Sequence, residues 1–329
     1  MVKINHELIY LKSENARRSL KELSQHLKTT PQRLKYSIST LEKEKILKEP
    51  YCIVDYSHFG LILFRTYFKG GYIKEQDKAK IIDELKNNSF VTSIYDFTGE
   101  FDLGVEFTSP NPSKFNKEFK RIITLNPALN DYKIILNLVT YVYPRHYLTK
   151  NQNLHNLNIE RLLGGDKELV DFNKNELNVL QNLLTDPTIT LTKLAEVSKL
   201  NIKTVKSIIK DLTKRNVIKG FKHIIDTEKL NVHSSRLFLK LHNVSLERES
   251  QLMQFFLNTQ EIVQVNKTIG DWDMEVDIES QDKSKIRSMI MKLREDFKDL
   301  IEKFNLIELY SYHKRSYLPQ YLFNKTTQP

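Results

Sequence analysis

Two stretches decide the fold: TGEFDLGVEF, from Thr98 to Phe107, and IGDWDMEVDI, from Ile269 to Ile278. Both read glycine, any residue, aromatic, aspartate, then alternating apolar positions, and they lie far apart in the chain. Alternation of period two marks a strand, and a glycine before it marks a turn that needs backbone freedom. Each stretch therefore reads as the corner of a β-hairpin, with Asp102 and Asp273 bonding nearby backbone amides.

Sliding the chain so that Gly99 falls on Gly270 aligns much more than the corners. Leu20, Leu23, Leu34, Ile38 and Leu41 fall on Leu191, Leu194, Val205, Ile209 and Leu212, and Arg65 falls on Arg236. The register holds from about residue 20 to residue 141 and slips by one where RHYL (145–148) meets RSYL (315–318). The chain is therefore expected to hold two copies of one unit. An Asn-rich stretch from Lys150 to Val170, with Gly164–Gly165, reads as the linker or a short added helix.

Each unit divides again. In the second, apolar residues at helical spacing mark three short helices, with Pro187 between the first and second and Leu200–Asn201 before the third. VIKGFKHIID then alternates like a strand around Gly220. Three helices and a two-stranded hairpin make a winged helix-turn-helix. The first unit has the same layout, with a capping box expected at Ser19–Glu22 and an N-cap at Thr30–Pro31. The rest of each unit reads strand, helix, strand, strand, helix, strand. That is the ferredoxin-like order, an antiparallel sheet with two helices on one face. The expected class is α+β: a winged helix-turn-helix at 1–56, a βαββαβ domain at 57–149, the linker at 150–170, and the same pair at 171–227 and 228–329.

Charge points to a partner. The formal net charge is +10, yet residues 17–50 carry +5 and residues 193–222 carry +7, leaving −2 elsewhere. Two basic modules on a near-neutral body fit nucleic acid. With Leu34, Ile38 and Leu41 inward, the third helix turns Gln32, Arg33, Tyr36, Ser37, Thr40 and Lys43 outward. In the second unit Val205, Ile209 and Leu212 go inward, and Lys203, Thr204, Ser207, Lys210 and Lys214 outward. Gln32 and Arg33 suit base edges, whereas the lysines suit phosphates. On the wings, Lys48, Lys219 and Lys222 are expected at the DNA backbone.

One cysteine, Cys52, excludes an intrachain disulfide and a four-cysteine zinc site. No apolar run is long enough for a membrane span and the start shows no secretory signal, so a cytoplasmic protein is expected. The nine histidines show neither metal-ligand spacing nor a Ser-His-Asp pattern, so no metal, cofactor or catalytic residue is expected.

The blocks SLKELSQHLKTTPQRLKYSISTLEKEKIL and TLTKLAEVSKLNIKTVKSIIKDLTKRNVI, with the two Gly-x-aromatic-Asp corners, resemble the Lrp/AsnC transcription regulators. The resemblance implies sequence-selective binding of double-stranded DNA and names the second domain a RAM domain. It also implies pairing through the sheets and an amino acid or other small effector near the corners. Its candidate residues here are Gly99, Glu100, Asp102, Gly270, Asp271, Trp272 and Asp273. Family dimers offer two reading helices, so one tandem chain is expected to form an intramolecular pseudo-dimer, with homo-oligomers also open to it. Many members have arginines in the middle of the third helix; here those positions hold Tyr36–Ser37 and Ser207–Ile208.

Two alternatives are weighed beside this. Sirohaem decarboxylases share the two-domain plan, but the matching stretches here, LILFRTYFKG and SSRLFLKLHN, lack the Asn-Ala-Met of that family. An interaction protein that has lost DNA binding is the other.

Overall fold

The computed structural model describes residues 5–70 and 74–323; the expected domains also include residues 1–4, 71–73 and 324–329, which lie outside the described residues. The chain opens with helices α1 (His6–Glu14), α2 (Leu20–Leu27) and α3 (Pro31–Lys43) and strand β1 (Leu47–Val54). Next come β2 (Ile62–Phe68), α4 (Glu75–Asn87), β3 (Val91–Thr98), β4 (Leu103–Ser109), α5 (Pro112–Leu125) and β5 (Tyr132–Val142). Helix α6 (Gln152–His155) and strand β6 (Arg161–Gly164) follow. The first pattern then returns as α7 (Lys174–Thr185), α8 (Leu191–Ser198), α9 (Ile202–Lys214) and β7 (Ile218–Ile225). The second returns as β8 (His233–Leu241), α10 (Leu246–Leu257), β9 (Ile262–Ile269), β10 (Met274–Ser280), α11 (Lys283–Asp296) and β11 (Ile301–Arg315).

The pairing of these strands bears on three expectations. First, neither basic module builds a hairpin of its own. Strand β1 pairs antiparallel with β7, and Tyr51 lies opposite Lys222, its own counterpart in the repeat. A pseudo-two-fold axis therefore passes between those residues. Second, the two βαββαβ sheets are not separate. Strand β3 pairs with β11 and β5 with β9, while β2 pairs with both β4 and β5. Eight strands close into the ring β2-β4-β3-β11-β8-β10-β9-β5. Exposed strand edges leave N–H and C=O groups unpaired, and closing the ring removes them. The long strands make this possible: β11 pairs with β8 through its first half and with β3 through its second. Third, the linker is not merely a connection, because β6 adds to β5 over Val139–Val142.

Alternating side chains sort the layers. On β2, Phe64 and Phe68 pack under α4 and α5 with Ile82, Phe115 and Phe119. Leu237 and Leu239 do the same under α10 and α11 with Phe256 and Met289. The intervening residues face the inside of the ring, where Tyr67, Phe101, Ile135, Phe238 and Ile307 form a shared core.

That interior also holds charges. Arg65, buried, places Nη1 2.8 Å from Glu275 Oε2 and Nη2 3.0 Å from Glu106 Oε1. Tyr67 donates to Glu275, and Arg236 binds both oxygens of Asp277 at 2.6 and 2.9 Å. Arg236 also donates to Tyr67 Oη, linking the two pairs. Arg65→Ala leaves the buried Glu275 without its main partner. It is expected to lower stability by about 3–5 kcal/mol in urea unfolding; a loss under about 1 kcal/mol would contradict this geometry.

The linker is anchored by His155, whose ring lies 4.1 Å from that of His146 at a tilt of 44°, and the Tyr10 hydroxyl lies 3.2 Å from His146 Nδ1. Burial, then the neighbouring His155, pulls His146 down from 6.5 to about 4. The unfolded chain takes up this proton below about pH 6.5, while the folded chain resists until about pH 4. Stability from this site is thus full above pH 6.5 and lost as pH falls towards 4. The native chain should lose about 1–2 kcal/mol more than His146→Asn across that window, a figure reduced for solvent screening. Parallel losses in both proteins would refute the assignment.

Candidate nucleic-acid interface

The third helices of the two modules, α3 and α9, are set by local chemistry. Ser19 and Glu22 form the expected capping box on α2, and Thr30 caps α3 ahead of Pro31. In the second module Thr190 caps α8 and Asn201 caps α9. Lys28 and Lys199, both left-handed, end α2 and α8 at equivalent places and start the turns. Leu34, Ile38 and Leu41 are buried under α3, as are Val205 and Leu212 under α9, while Ile209 is half-buried.

This packing leaves one face of each helix to solvent. On α3, Gln32, Arg33, Tyr36 and Lys43 are exposed, with Tyr36 at 76%. Ser37 and Thr40 are half-buried, and Thr40 donates to the Tyr36 carbonyl, so its hydroxyl is engaged within the helix. On α9, Lys203, Ser207, Lys210 and Lys214 are exposed and Thr204 is half-buried. Ser207 donates to Asp211. Lys35 and Lys206 are exposed as well, two cations absent from the expected set.

The wing lysines depart from expectation. Lys222 is buried, with Nζ 2.8 Å from Glu14 Oε2, so it is not free to meet a phosphate. Burial pulls its ammonium down to about 7 against the attraction of Glu14. Lys48 is half-buried and paired with Asp226 at 2.9 Å, and Lys219 is half-buried. The Lys48–Asp226 and Lys222–Glu14 pairs tie β1 to the end of β7 and β7 to α1.

Glu14 is a residue that sequence reasoning missed. It ends α1, is fully buried, and faces Lys222 from β7, Arg145 after β5 and Arg161 on β6. Burial raises its carboxyl, but the three cations outweigh this and hold it below the usual range. Arg145 also reaches Glu279 at 2.8 Å. One carboxylate thus ties the first basic module to the second module's strand, the linker and the ring. The only sequence signal was an acidic residue, Glu14, in an otherwise basic segment.

The two hairpin corners come together at one end of the ring. Gly99 and Gly270 have φ of 134° and 148°, the region that favours glycine. Each connection is four residues long, Gly99–Asp102 and Gly270–Asp273, longer than a two-residue turn. Asp102 accepts from the Gly70 amide and Asp273 from the Leu241 amide, so each aspartate holds its corner to the end of the neighbouring strand. Lys133 on β5 bridges Glu100 at 3.0 Å and Asp271 at 3.3 Å, one from each corner. Trp272 packs 5.7 Å from Phe238, and its buried Nε1 has no hydrogen-bond partner.

Among the described residues no cluster of three or more His, Cys, Asp or Glu is arranged to hold a metal ion, and no helix is long and apolar enough to cross a membrane.

Comparison with known proteins places the second of these modules. Residues 172–219 match the family model for winged helix-turn-helix DNA-binding domains. An uncharacterized HTH-type transcriptional regulator of Pyrococcus furiosus is 30% identical over 111 residues, covering 33% of this chain and 72% of that protein. The HTH-type transcriptional regulator FL11 of Pyrococcus horikoshii is 30% identical over 122 residues, 37% of this chain and 78% of that protein. The crystal structure of the siroheme decarboxylase NirDL aligns over 96% of this chain and 94% of its own with a TM-score of 0.58. At 11% identity that likeness speaks for the fold alone.

If the Glu14 clamp positions the first module, Glu14→Gln should fold but free that module to move. Limited proteolysis should then cut the Asn15–Ser19 loop at least about tenfold faster than in the native chain, since local opening governs cleavage. Equal rates would show that the clamp does not hold the module.

Proposed function

This chain belongs to the Lrp/AsnC family of helix-turn-helix transcriptional regulators, and we propose from that premise that a single chain supplies both reading heads of a sequence-selective regulator of double-stranded DNA. The observation that carries the reading is the pair of solvent-facing helices, α3 and α9, on two basic modules joined by the β1–β7 ribbon about one pseudo-two-fold axis. Dimeric readers of this class present two helices related by a two-fold axis to two half-sites in the major groove. Here a duplicated unit, helix-turn-helix plus RAM-like sheet, makes the pair within one chain as a pseudo-dimer.

The heads are not equivalent. Arg33 and Gln32 on α3 suit bidentate contacts with base edges. Lys203, Lys210 and Lys214 on α9 suit phosphates, which fix register without reading sequence. A site of unequal halves follows. The effector site we assign to the joined corners, where Lys133 already bridges the Glu100 and Asp271 carboxylates. A small amphoteric ligand such as an amino acid suits groups of both signs beside the Trp272 ring.

The fold shared with a siroheme decarboxylase raises catalysis as a second reading. Arg65 and Arg236, which lie in the stretches compared with that family, are spent in buried ion pairs. The polar gap between the ring and the β1–β7 ribbon, lined by Tyr51, Lys222, Arg145, Gln264 and Arg315, measures about 10 Å³, about one water. Both facts favour binding over tetrapyrrole chemistry in either place.

The test uses the full chain and a labelled duplex from upstream of its own gene, with a scrambled duplex as control, read by fluorescence anisotropy. Lys203→Glu with Lys210→Glu should weaken binding at least tenfold, and native binding should fall about 10³-fold or more between 50 and 200 mM salt if six or more phosphates are neutralised. Unchanged affinity in the double variant would remove α9 from the interface.

A further inference from the structure

The pseudo-two-fold axis relates every strand of the ring to a partner, but β6 has none. Strand β6 lies along β5 beyond the start of β2, where Val139–Val142 would otherwise show a bare edge. The counterpart of β5 is β11, and that of β2 is β8. Strand β8 ends its pairing with β11 at Glu308, and among the described residues no strand flanks β11 on that side from Leu309 to Arg315. The position equivalent to β6 is thus a free sheet edge.

The ground on either side of that edge matches. The linker lays Arg161 against the Lys219 carbonyl and Gly220, Gly164 against Tyr56, and Leu169 against Gly60. Lys167 takes the Asp55 carboxylate. The repeat register gives the counterparts Lys48, Glu49, Thr227, Asn231 and Asp226, and these line two open clefts. One, of about 1190 Å³, includes Lys48, Glu49, Asp226, Tyr312 and His313. The other, of about 530 Å³, includes Thr227, Asn231, Leu309 and Tyr310. Both meet at β11. One half of the molecule has this track filled by an extended segment of its own chain, and the other half has it open.

We propose that the open track, from the larger cleft along the β11 edge to the smaller one, docks an extended peptide segment of a partner protein, acidic where it lies in the larger cleft, which adds as a strand beside β11. Strand addition to a free edge gives affinity through main-chain bonds, and flanking pockets give selectivity. Charge sets the chemistry of the occupant. Eight lysine and arginine side chains line the larger cleft against three carboxylates, Glu42, Glu49 and Asp226. Two buried polar atoms there have no partner. Arg18 Nη1 is a donor suited to a carboxylate. His223 donates from Nδ1 to the Lys48 carbonyl at 2.8 Å, which leaves Nε2 an unused acceptor suited to an incoming N–H. The inference stands independently of the DNA reading, because α3 turns its flank, not its outward face, to this cleft.

The probe is the linker strand itself, residues 159–170 as a labelled peptide with Arg161→Glu, which keeps Lys167 for Asp226, against a scrambled peptide of the same composition. With the full chain, binding should saturate at one peptide per chain and be at least tenfold tighter than for the scramble. Hydrogen exchange should slow at the amides of residues 310–314 and not at α9. Lys35→Glu with Lys45→Glu, both exposed on the cleft wall, should weaken the peptide at least tenfold. Equal binding of the scramble, or no protection along β11, overturns the proposal. Protection of β11 that rises with protein concentration in the absence of peptide also overturns it, by making a second copy the occupant.

Discussion

Arg65 reaches across the inside of the ring to Glu275, 210 residues further along the chain, and the architecture depends on that contact. A guanidinium taken out of water is tolerated only when it is paired and hydrogen-bonded. Here the pairing is possible only if the first sheet faces the second in one register. Arg236, the counterpart, is held by Asp277 within its own half and by Tyr67 from the other. Such pairs contribute little net stability beside a hydrophobic core of similar volume, but any other arrangement strands a buried charge. The aromatic residues around them supply the burial, and the charges select which burial occurs.

The same logic extends outward from the ring to the reading heads. Glu14 lies buried at the meeting of α1, β6, β7 and the end of β5, and its three cations come from three of those elements. With the β1–β7 ribbon crossing the axis beside it, the two modules share one mount. A reader of two half-sites gains from this, because the separation of its helices is fixed before binding and less ordering is needed on the DNA. The duplicated chain also drifts apart where symmetry is not needed: Lys78–Asp96 in one half is Glu249–Lys267 in the other, the same ion pair with its charges exchanged.

Much of this was legible in the sequence. The period-two and 3.6-residue patterns, the Ser19 and Thr30 caps and the two glycine corners are local signals, and local physics decides them. The strand, helix, strand, strand, helix, strand order read from the pattern is the order found in both units. The outward faces of α3 and α9 follow from helical spacing and are exposed except at the half-buried Ser37, Thr40 and Thr204. What the sequence did not reveal is long-range. The alternation in VIKGFKHIID fits a strand equally well in a hairpin or against a strand of the other unit, so Lys222 read as a solvent-facing wing lysine. Arg65 and Arg236 were visible as equivalents in the repeat, yet nothing local distinguishes a buried arginine awaiting a distant carboxylate from a surface one. The linker composition suggested a loop, and only the bare edge of β5 gives Arg161–Gly164 a reason to be a strand.

The most direct test of the central claim is the distance between the two reading helices in solution. Spin labels on cysteines placed at Glu42 and Thr213, equivalent exposed positions of α3 and α9 outside the DNA-facing set, would be measured by pulsed electron resonance in the full chain. The native Cys52 is buried and its thiol is pushed up by that burial, so it should escape labelling. The account predicts one narrow distance distribution that is the same with and without DNA and independent of protein concentration. A broad or two-peaked distribution in the free chain would contradict it, because the heads would then not share a rigid mount.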